Sequence, residues 1–269
     1  WKLYINLMDC LYKNNHVKLD IAGTVESISH ITKETLYDCY NTFYHPSNMT
    51  MCISGDFEPE KIVEEVKKRL LPKEKMPEIK RIYPEKELVI NKKYNEQEME
   101  VNIPLFMIGY RDILENENNV KKQIAIEIIL NSLIGKSSKL YQKLYNEGLL
   151  MSALEFYDEF ADEYSHVVIA GQSENPEKIN EEIVNTLKNE TVTEEDFERN
   201  KKALYGEYVS EYDDVETIGR TFLQDSMRGI NSLEFVNAFE EITIDYVNKI
   251  QNELFKEEMS AVSIIRKAN

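Results

Sequence analysis

Apolar residues recur at helical spacing over residues 1–13, where Leu3, Leu7, Met8 and Leu11 line up until Asn14-Asn15-His16 interrupts them. Gly23-Thr24-Val25-Glu26 opens a short helical turn. Thr32, with Thr35 at the capping-box position, caps a helix running to about Tyr44. Pro46-Ser47-Asn48 turns the chain into an apolar strand, Met49–Ser54, which Gly55-Asp56 ends; Pro59 then opens a helix to about Leu71. Further on the pattern shifts to alternation. Strands are expected over about 87–93 and 99–110, most clearly at Met99, Val101 and Ile103. Helices follow from Val120 to Leu133 and from Ser137 to Asn146, then an antiparallel strand pair over 150–160 and 164–172. Pro176–Lys188 reads as a helix, and Thr193 with Asp196 caps a long one reaching Arg228. Helices over 232–240 and 243–255 and a strand over 259–265 complete the series. Local strand pairing with helices in runs implies an α+β class: an antiparallel-rich sheet with helices packed on one face.

Part of this pattern occurs twice. With Ile31 set on Ile242, an offset of 211 residues, Thr32 meets Thr243, Glu34 meets Asp245, Tyr44 meets Phe255 and Ile53 meets Ile264 without a gap. A period this long marks a duplicated domain, since solenoid units run about 20–50 residues. Tandem homologous domains are therefore expected. Residues 1–71 form the C-terminal part of a first, incomplete domain, and 87–269 form a whole second one. Between them, 72–86 carries Pro72, Pro77 and Pro84 among charged residues and reads as a stiff, solvated linker. The leading half of the first domain is expected upstream of Trp1.

Charge narrows the partners. Thirty-two basic against forty-nine acidic residues gives a net charge of −17, which argues against nucleic-acid and anionic-membrane surfaces. Such a balance serves solubility or an acidic cavity that favours basic substrates. No apolar run approaches the roughly 18 residues of a membrane span. Cys10, Cys39 and Cys52 fit no Cys-x-x-Cys pattern and read as reduced, mostly buried thiols of a cytoplasmic protein.

Local catalytic motifs are weak. Gly135-Lys136-Ser137 resembles the end of a phosphate-binding loop, but Leu130 occupies the position of the required earlier glycine. His16, His30, His45 and His166 are scattered, so no zinc site is built locally. Ser137 and Ser138 read as helix caps. The tyrosines at helical spacing (Tyr37, Tyr40, Tyr44; Tyr205, Tyr208, Tyr212) read as core or helix-packing groups.

Two landmarks carry a family resemblance. One is Gly23-Thr24-Val25-Glu26-Ser27-Ile28, then Ile31-Thr32, Tyr44-His45-Pro46-Ser47-Asn48-Met49 and Gly55-Asp56. The other is Gly135-Lys136-Ser137-Ser138-Lys139-Leu140-Tyr141 followed by Glu147-Gly148-Leu149. In this order they resemble the insulinase/pitrilysin family of zinc metallopeptidases, which includes the mitochondrial processing peptidases.

The resemblance implies a hydrolase built from tandem α+β domains. Its inverted zinc motif, His-x-x-Glu-His, lies on a helix of the first domain, and a further Glu lies on a later helix. No His-x-x-Glu-His occurs in 1–269. Zinc is accordingly implied for the full-length parent, with its site upstream of residue 1; no catalytic or metal residue is expected in this chain, which should be inactive alone. The second domain is the noncatalytic half, enclosing a peptide or unfolded polypeptide opposite the zinc. The expected wall residues are Gly135, Ser137, Ser138, Tyr164 and His166. The family commonly uses an Arg and a Tyr there, and the strand near Tyr164 shows no Arg. A noncatalytic subunit acting as a structural or partner-binding module is the other reading. Expected partners are the missing N-terminal half and a peptide substrate. A homodimer, or a heterodimer with a related subunit, stays open, and no nucleic-acid or membrane partner is expected.

Overall fold

A computed structural model describes residues 1–70, 76, 79–113, 119–161 and 163–268. The chain runs through α1 (Lys2–Leu11), α2 (Val25–Ser29), α3 (Lys33–Phe43), α4 (Pro59–Arg69), β1 (Tyr94–Met99), β2 (Leu105–Arg111), α5 (Asn119–Leu133) and α6 (Lys139–Asn146). It continues through β3 (Glu155–Phe160), β4 (Ser165–Gln172), α7 (Pro176–Asn189), α8 (Glu194–Glu211), α9 (Val215–Met227), α10 (Glu234–Glu241), α11 (Ile244–Leu254) and β5 (Ser260–Lys267). Its packing divides into two compact units that are not contiguous in sequence. One comprises 1–21, 83–206 and 235–269; the other comprises 22–82 and 207–234. Of the linker expected over 72–86, residues 72–75, 77 and 78 lie outside the described residues, and 79–86 form no regular element.

The first unit is built on a five-stranded sheet ordered β1-β5-β2-β4-β3. β1 runs parallel to β5, and the other neighbours are antiparallel. Alternation along β2 sends Phe106, Ile108 and Tyr110 to one face, all fully buried. The Tyr110 ring meets Phe255, just past α11, edge to face at 5.0 Å. α5 and α11 pack together on this side. Nearly every side of α5 is buried, including Ile124, Ile126, Ile128, Ile129 and Leu130, as befits the middle helix of a layer. Gln251 on α11 donates to the carbonyls of Leu187 and Glu190 at 3.0 and 2.5 Å, satisfying acceptors that the end of α7 leaves open.

Helices do not cover one face alone. α1, expected within the first domain, lies on the opposite face of this sheet. Leu7, Met8, Cys10, Leu11 and Tyr12 form a buried cluster there with Val168 and Ala261. Gly109 makes this possible, because a Cβ there would lie 2.8 Å from Leu11 Cδ1 and 3.1 Å from both methyls of Leu7.

The strands expected over 87–93 and 99–110 are displaced, and α1 explains the first. Backbone N–H groups of Asn91 and Lys92 donate to the Cys10 carbonyl, Asn91 Nδ2 donates to the Asp9 carbonyl, and Arg111 donates to the carbonyls of Leu11 and Val89. Residues 87–92 thus finish a helix end instead of a sheet ladder. The true strand, β1, reads Tyr-Asn-Glu-Gln-Glu-Met and is largely exposed at the sheet border. Pairing with one neighbour holds it without an apolar face. Val101 and Ile103, where the alternation is clearest, lie in the β1–β2 connection.

A buried ion pair fixes α5 to the strands. Lys122 Nζ lies 2.6 Å from Asp112 Oδ2, which also accepts from Ser165 Oγ at 2.9 Å, and the ammonium sits 4.9 Å from the Phe160 ring centre.

In the second unit Thr24 and Ser27 cap α2 reciprocally, and Thr32 accepts from the Thr35 backbone to cap α3. The long helix expected to reach Arg228 ends at Glu211. Asp214 then caps a new helix, α9, by accepting from the Thr217 N–H at 2.7 Å. Residues 49–54 form no strand, because no described segment offers them a hydrogen-bonding ladder. Met51 and Ile53 are exposed there, as are Tyr37, Tyr40 and Tyr44 of the α3 region; Tyr205, on α8 of the first unit, is exposed too. Of the core or helix-packing role expected of those tyrosines, the core half does not hold, while the Tyr205 ring does pack edge to face on Phe239 of α10 at 5.5 Å. Cys39 and Cys52 are likewise exposed, and only Cys10 is buried.

The repeat holds at the level of elements. Shifting α3 by 211 residues gives the bounds of α11, and the 3-10 turn at Pro46–Asn48 maps onto the one at Glu257–Met259. The same shift carries α1 onto 213–222, overlapping α9. α9 closes on the 49–54 segment, since a Cβ at Gly219 would lie 2.5 Å from Ser54 Oγ.

Two outcomes test this packing. Gly109→Ala should destabilise the protein by about 1–3 kcal/mol through overpacking against Leu7 and Leu11, with amide exchange accelerated first along α1. Asp112→Ala should lower the urea-derived stability by about 3–5 kcal/mol by stranding the buried Lys122 ammonium, and adding Lys122→Met should restore most of it.

Candidate functional site

The two groups of expected wall residues have different surroundings. Gly135 is buried at the end of α5, where its N–H donates to the Leu130 carbonyl at 2.8 Å and a Cβ would lie 2.6 Å from the Asn131 carbonyl oxygen. Ser138 is also buried, and its hydroxyl accepts from the Tyr141 N–H at 3.0 Å to cap α6. Ser137 and its neighbour Lys136 are exposed. Both interior contacts are those of a helix-loop-helix joint.

Tyr164 and His166 are brought together at the start of β4, on the face covered by α1. Their rings stack 5.9 Å apart at 15°. His166 is only 2% exposed and is enclosed by residues distant in sequence. Tyr12 donates its hydroxyl hydrogen to the Ser165 carbonyl at 2.9 Å, so its oxygen receives the Nδ1 proton of His166 across 3.1 Å. On the other side Nε2 faces the Tyr4 hydroxyl at 3.4 Å and Glu159 Oε2 at 3.7 Å. Glu159 accepts from Tyr164 at 2.6 Å and from Tyr4 at 3.2 Å. No described hydrogen bond or ring contact joins this cluster to the 135–138 loop.

Burial sets the electrostatics of the cluster. It lowers the His166 pKa to about 4, with the Glu159 carboxylate pulling the other way, so the imidazole is neutral. Burial and the adjacent Glu159 carboxylate also raise the Tyr4 and Tyr164 hydroxyls above their ordinary range. Arg111, absent from the strand near Tyr164, arrives across the sheet as the Cα partner of His166. Its guanidinium lies 4.7 Å from the Tyr12 ring centre and 3.2 Å from Glu87, and the residue is buried. It locks α1 in place and does not face solvent.

Tyr4, Tyr12, Arg111 and Glu159 escaped the sequence reading because sheet pairing and α1 docking assemble them. Only the inward spacing of α1 hinted at the first two.

Comparison with known proteins fits this architecture. The family model described as the peptidase M16 inactive domain matches residues 30–204, and the chain belongs to the peptidase M16 family. A Bacillus subtilis (strain 168) protein named uncharacterized zinc protease YmfH is 32% identical over 278 residues, covering 100% of this chain and 64% of that protein. The crystal structure of an M16-like peptidase from Alicyclobacillus acidocaldarius superposes with a TM-score of 0.90 at 28% identity, covering 99% of this chain and 66% of that one. A Helicobacter pylori protease shares the fold, with a TM-score of 0.81 at 17% identity over 98% of this chain and 66% of that one. The chain therefore spans about two thirds of these relatives' length, 64% for the first.

The curated relatives are named as zinc proteases. The residues present here do not fit that metal. Among the described residues no three His, Cys, Asp or Glu side chains converge, and the His166 ring is hemmed in by phenols. No described helix is long and apolar enough to cross a membrane.

The buried imidazole predicts a pH dependence. Its folded pKa lies below the unfolded value of about 6.5, so its contribution is complete above that value and is lost as pH falls toward 4. Across that window, wild type should lose about 2–4 kcal/mol more than His166→Gln, measured as the difference between their urea unfolding free energies.

Proposed function

We propose that this chain supplies the noncatalytic half of an M16 zinc peptidase, walling in a peptide opposite a zinc site formed by residues outside these 269. The supporting observation is the match of the family's inactive domain over 30–204, within a whole-chain similarity to a protein named as a zinc protease. The chemistry of the residues agrees. The buried His166 serves the seam between α1 and the sheet, and the hydroxyl of Ser138 is spent on a helix cap. Neither is offered as an acid, base or nucleophile to a substrate. The role left to the domain is shape and contact. In such a chamber the exposed Ser137 and the outer edge of the Tyr164 cluster are the groups able to touch a peptide.

Protein expressed from the complete reading frame should retain one zinc per chain and cleave a quenched fluorogenic peptide. The 269-residue chain alone should do neither. Tightly bound zinc or cleavage by the isolated chain would overturn the proposal. A full-length protein that binds peptide but neither zinc nor scissile product would identify the family's noncatalytic subunit instead.

A further inference from the structure

We propose that Glu159 is a recognition point for a basic side chain of the bound peptide, an ammonium or guanidinium group. This rests on the peptide-enclosing reading above and names the substrate chemistry that one part of the wall would select. The argument begins with the position of the carboxylate. β3 is the last strand of the sheet, and Glu159 faces the α1 side at its border as the Cα partner of His166. The His166 side chain is 2% exposed, whereas that of Glu159 is 45% exposed. One end of the cluster is sealed; the other opens to solvent.

The carboxylate is held but not neutralised. Tyr164 donates to Oε1 at 2.6 Å and Tyr4 to Oε2 at 3.2 Å, fixing both oxygens from opposite elements. Each oxygen keeps acceptor capacity beyond one phenol, because a carboxylate offers about four lone-pair sites. The nearest group able to carry positive charge is His166, at 3.7 Å, and its buried ring is neutral. Among the described residues no lysine or arginine pairs with Glu159. Several other fixed carboxylates in this unit do have such partners: Asp9 with Lys18 and Lys92, Glu87 with Arg111, Glu96 with Arg266, and Asp112 with Lys122.

The frame around the oxygens suits an organic cation. Tyr4 and Tyr164 reach the carboxylate with their hydroxyls, and the ring open to solvent beside it is that of Tyr157, two residues back on the same face of β3 and exposed. Aromatic faces attract ammonium and guanidinium groups. A carboxylate already fixed by two hydroxyls pays little ordering entropy on meeting one. The net charge of −17 further raises the encounter rate of basic peptides. If Glu159 served only to tie Tyr4 to β3, a neutral amide would do the same, and no preference for basic peptides would follow.

The test compares two short, unstructured, fluorescein-labelled peptides that differ only in one central residue, arginine or its neutral isostere citrulline. Binding to the full chain is read by fluorescence anisotropy. The arginine peptide should bind about fivefold more tightly, the upper range for a half-exposed ion pair, and added salt should erode the difference. Glu159→Gln should abolish that preference while leaving citrulline-peptide binding and α1 amide protection unchanged. Equal binding of the two peptides to wild type, or a preference that survives Glu159→Gln, would overturn this inference and spare the enclosing role. If neither peptide binds, both readings fall. The comparison on wild type stands whether or not the variant folds.

Discussion

The first unit depends on how closely α1 approaches the sheet. Gly109 removes the side chain that would hold the helix away, and Leu7 and Leu11 occupy the space. That contact brings the end of the helix over the border of β2, where its open carbonyls need donors. Asn91, Lys92 and Arg111 provide them, which draws residues 87–92 across the helix end and sets where β1 begins. The same docking places Tyr4 and Tyr12 over His166. The ring cluster, the displaced strand and the buried guanidinium all follow from one missing Cβ.

The sequence revealed a good deal of this fold and little of its interior. The repeat at 211 residues, read from a few matched letters, corresponds to helices with equal bounds because capping at Thr32 and Thr243 is a local, side-chain-encoded event. β4 and β5 were legible from apolar runs, and β3 as the antiparallel partner of β4. β1 was not, because a polar edge strand is specified by its neighbour and carries no periodic signal of its own. The break at Tyr212–Asp214 was missed because apolar spacing continues through it. Only the Asp214 cap marks the new start, and it competes with many acidic residues nearby.

The expected wall residues divide along the same line. Ser138 was recognisable as a cap, since a serine before a helix acts within a few residues. Tyr164 and His166 were selected by position alone, and their partners come from α1 and β3, about 150 residues away for Tyr12 and Tyr4. Long-range polar clusters of this kind leave no trace in spacing. Their members are also the groups whose protonation is most altered by burial, so chemical properties guessed from residue type fail there first.

The contrast between His166 and Glu159 shows how one cluster can hold a fold together and still present chemistry outward. The imidazole is surrounded by hydroxyls from α1 and the β3–β4 hairpin, and its neutrality is enforced by exclusion of water. An ion there would weaken the seam. The carboxylate two bonds away in the same network meets solvent, and charge costs little at that depth. The phenols of Tyr4 and Tyr164 join the two environments by orienting the carboxylate without cancelling its charge. In the proposed peptide-enclosing role, selectivity would rest on such fixed, unneutralised groups. Their geometry is set by the same helix docking that keeps the sheet covered.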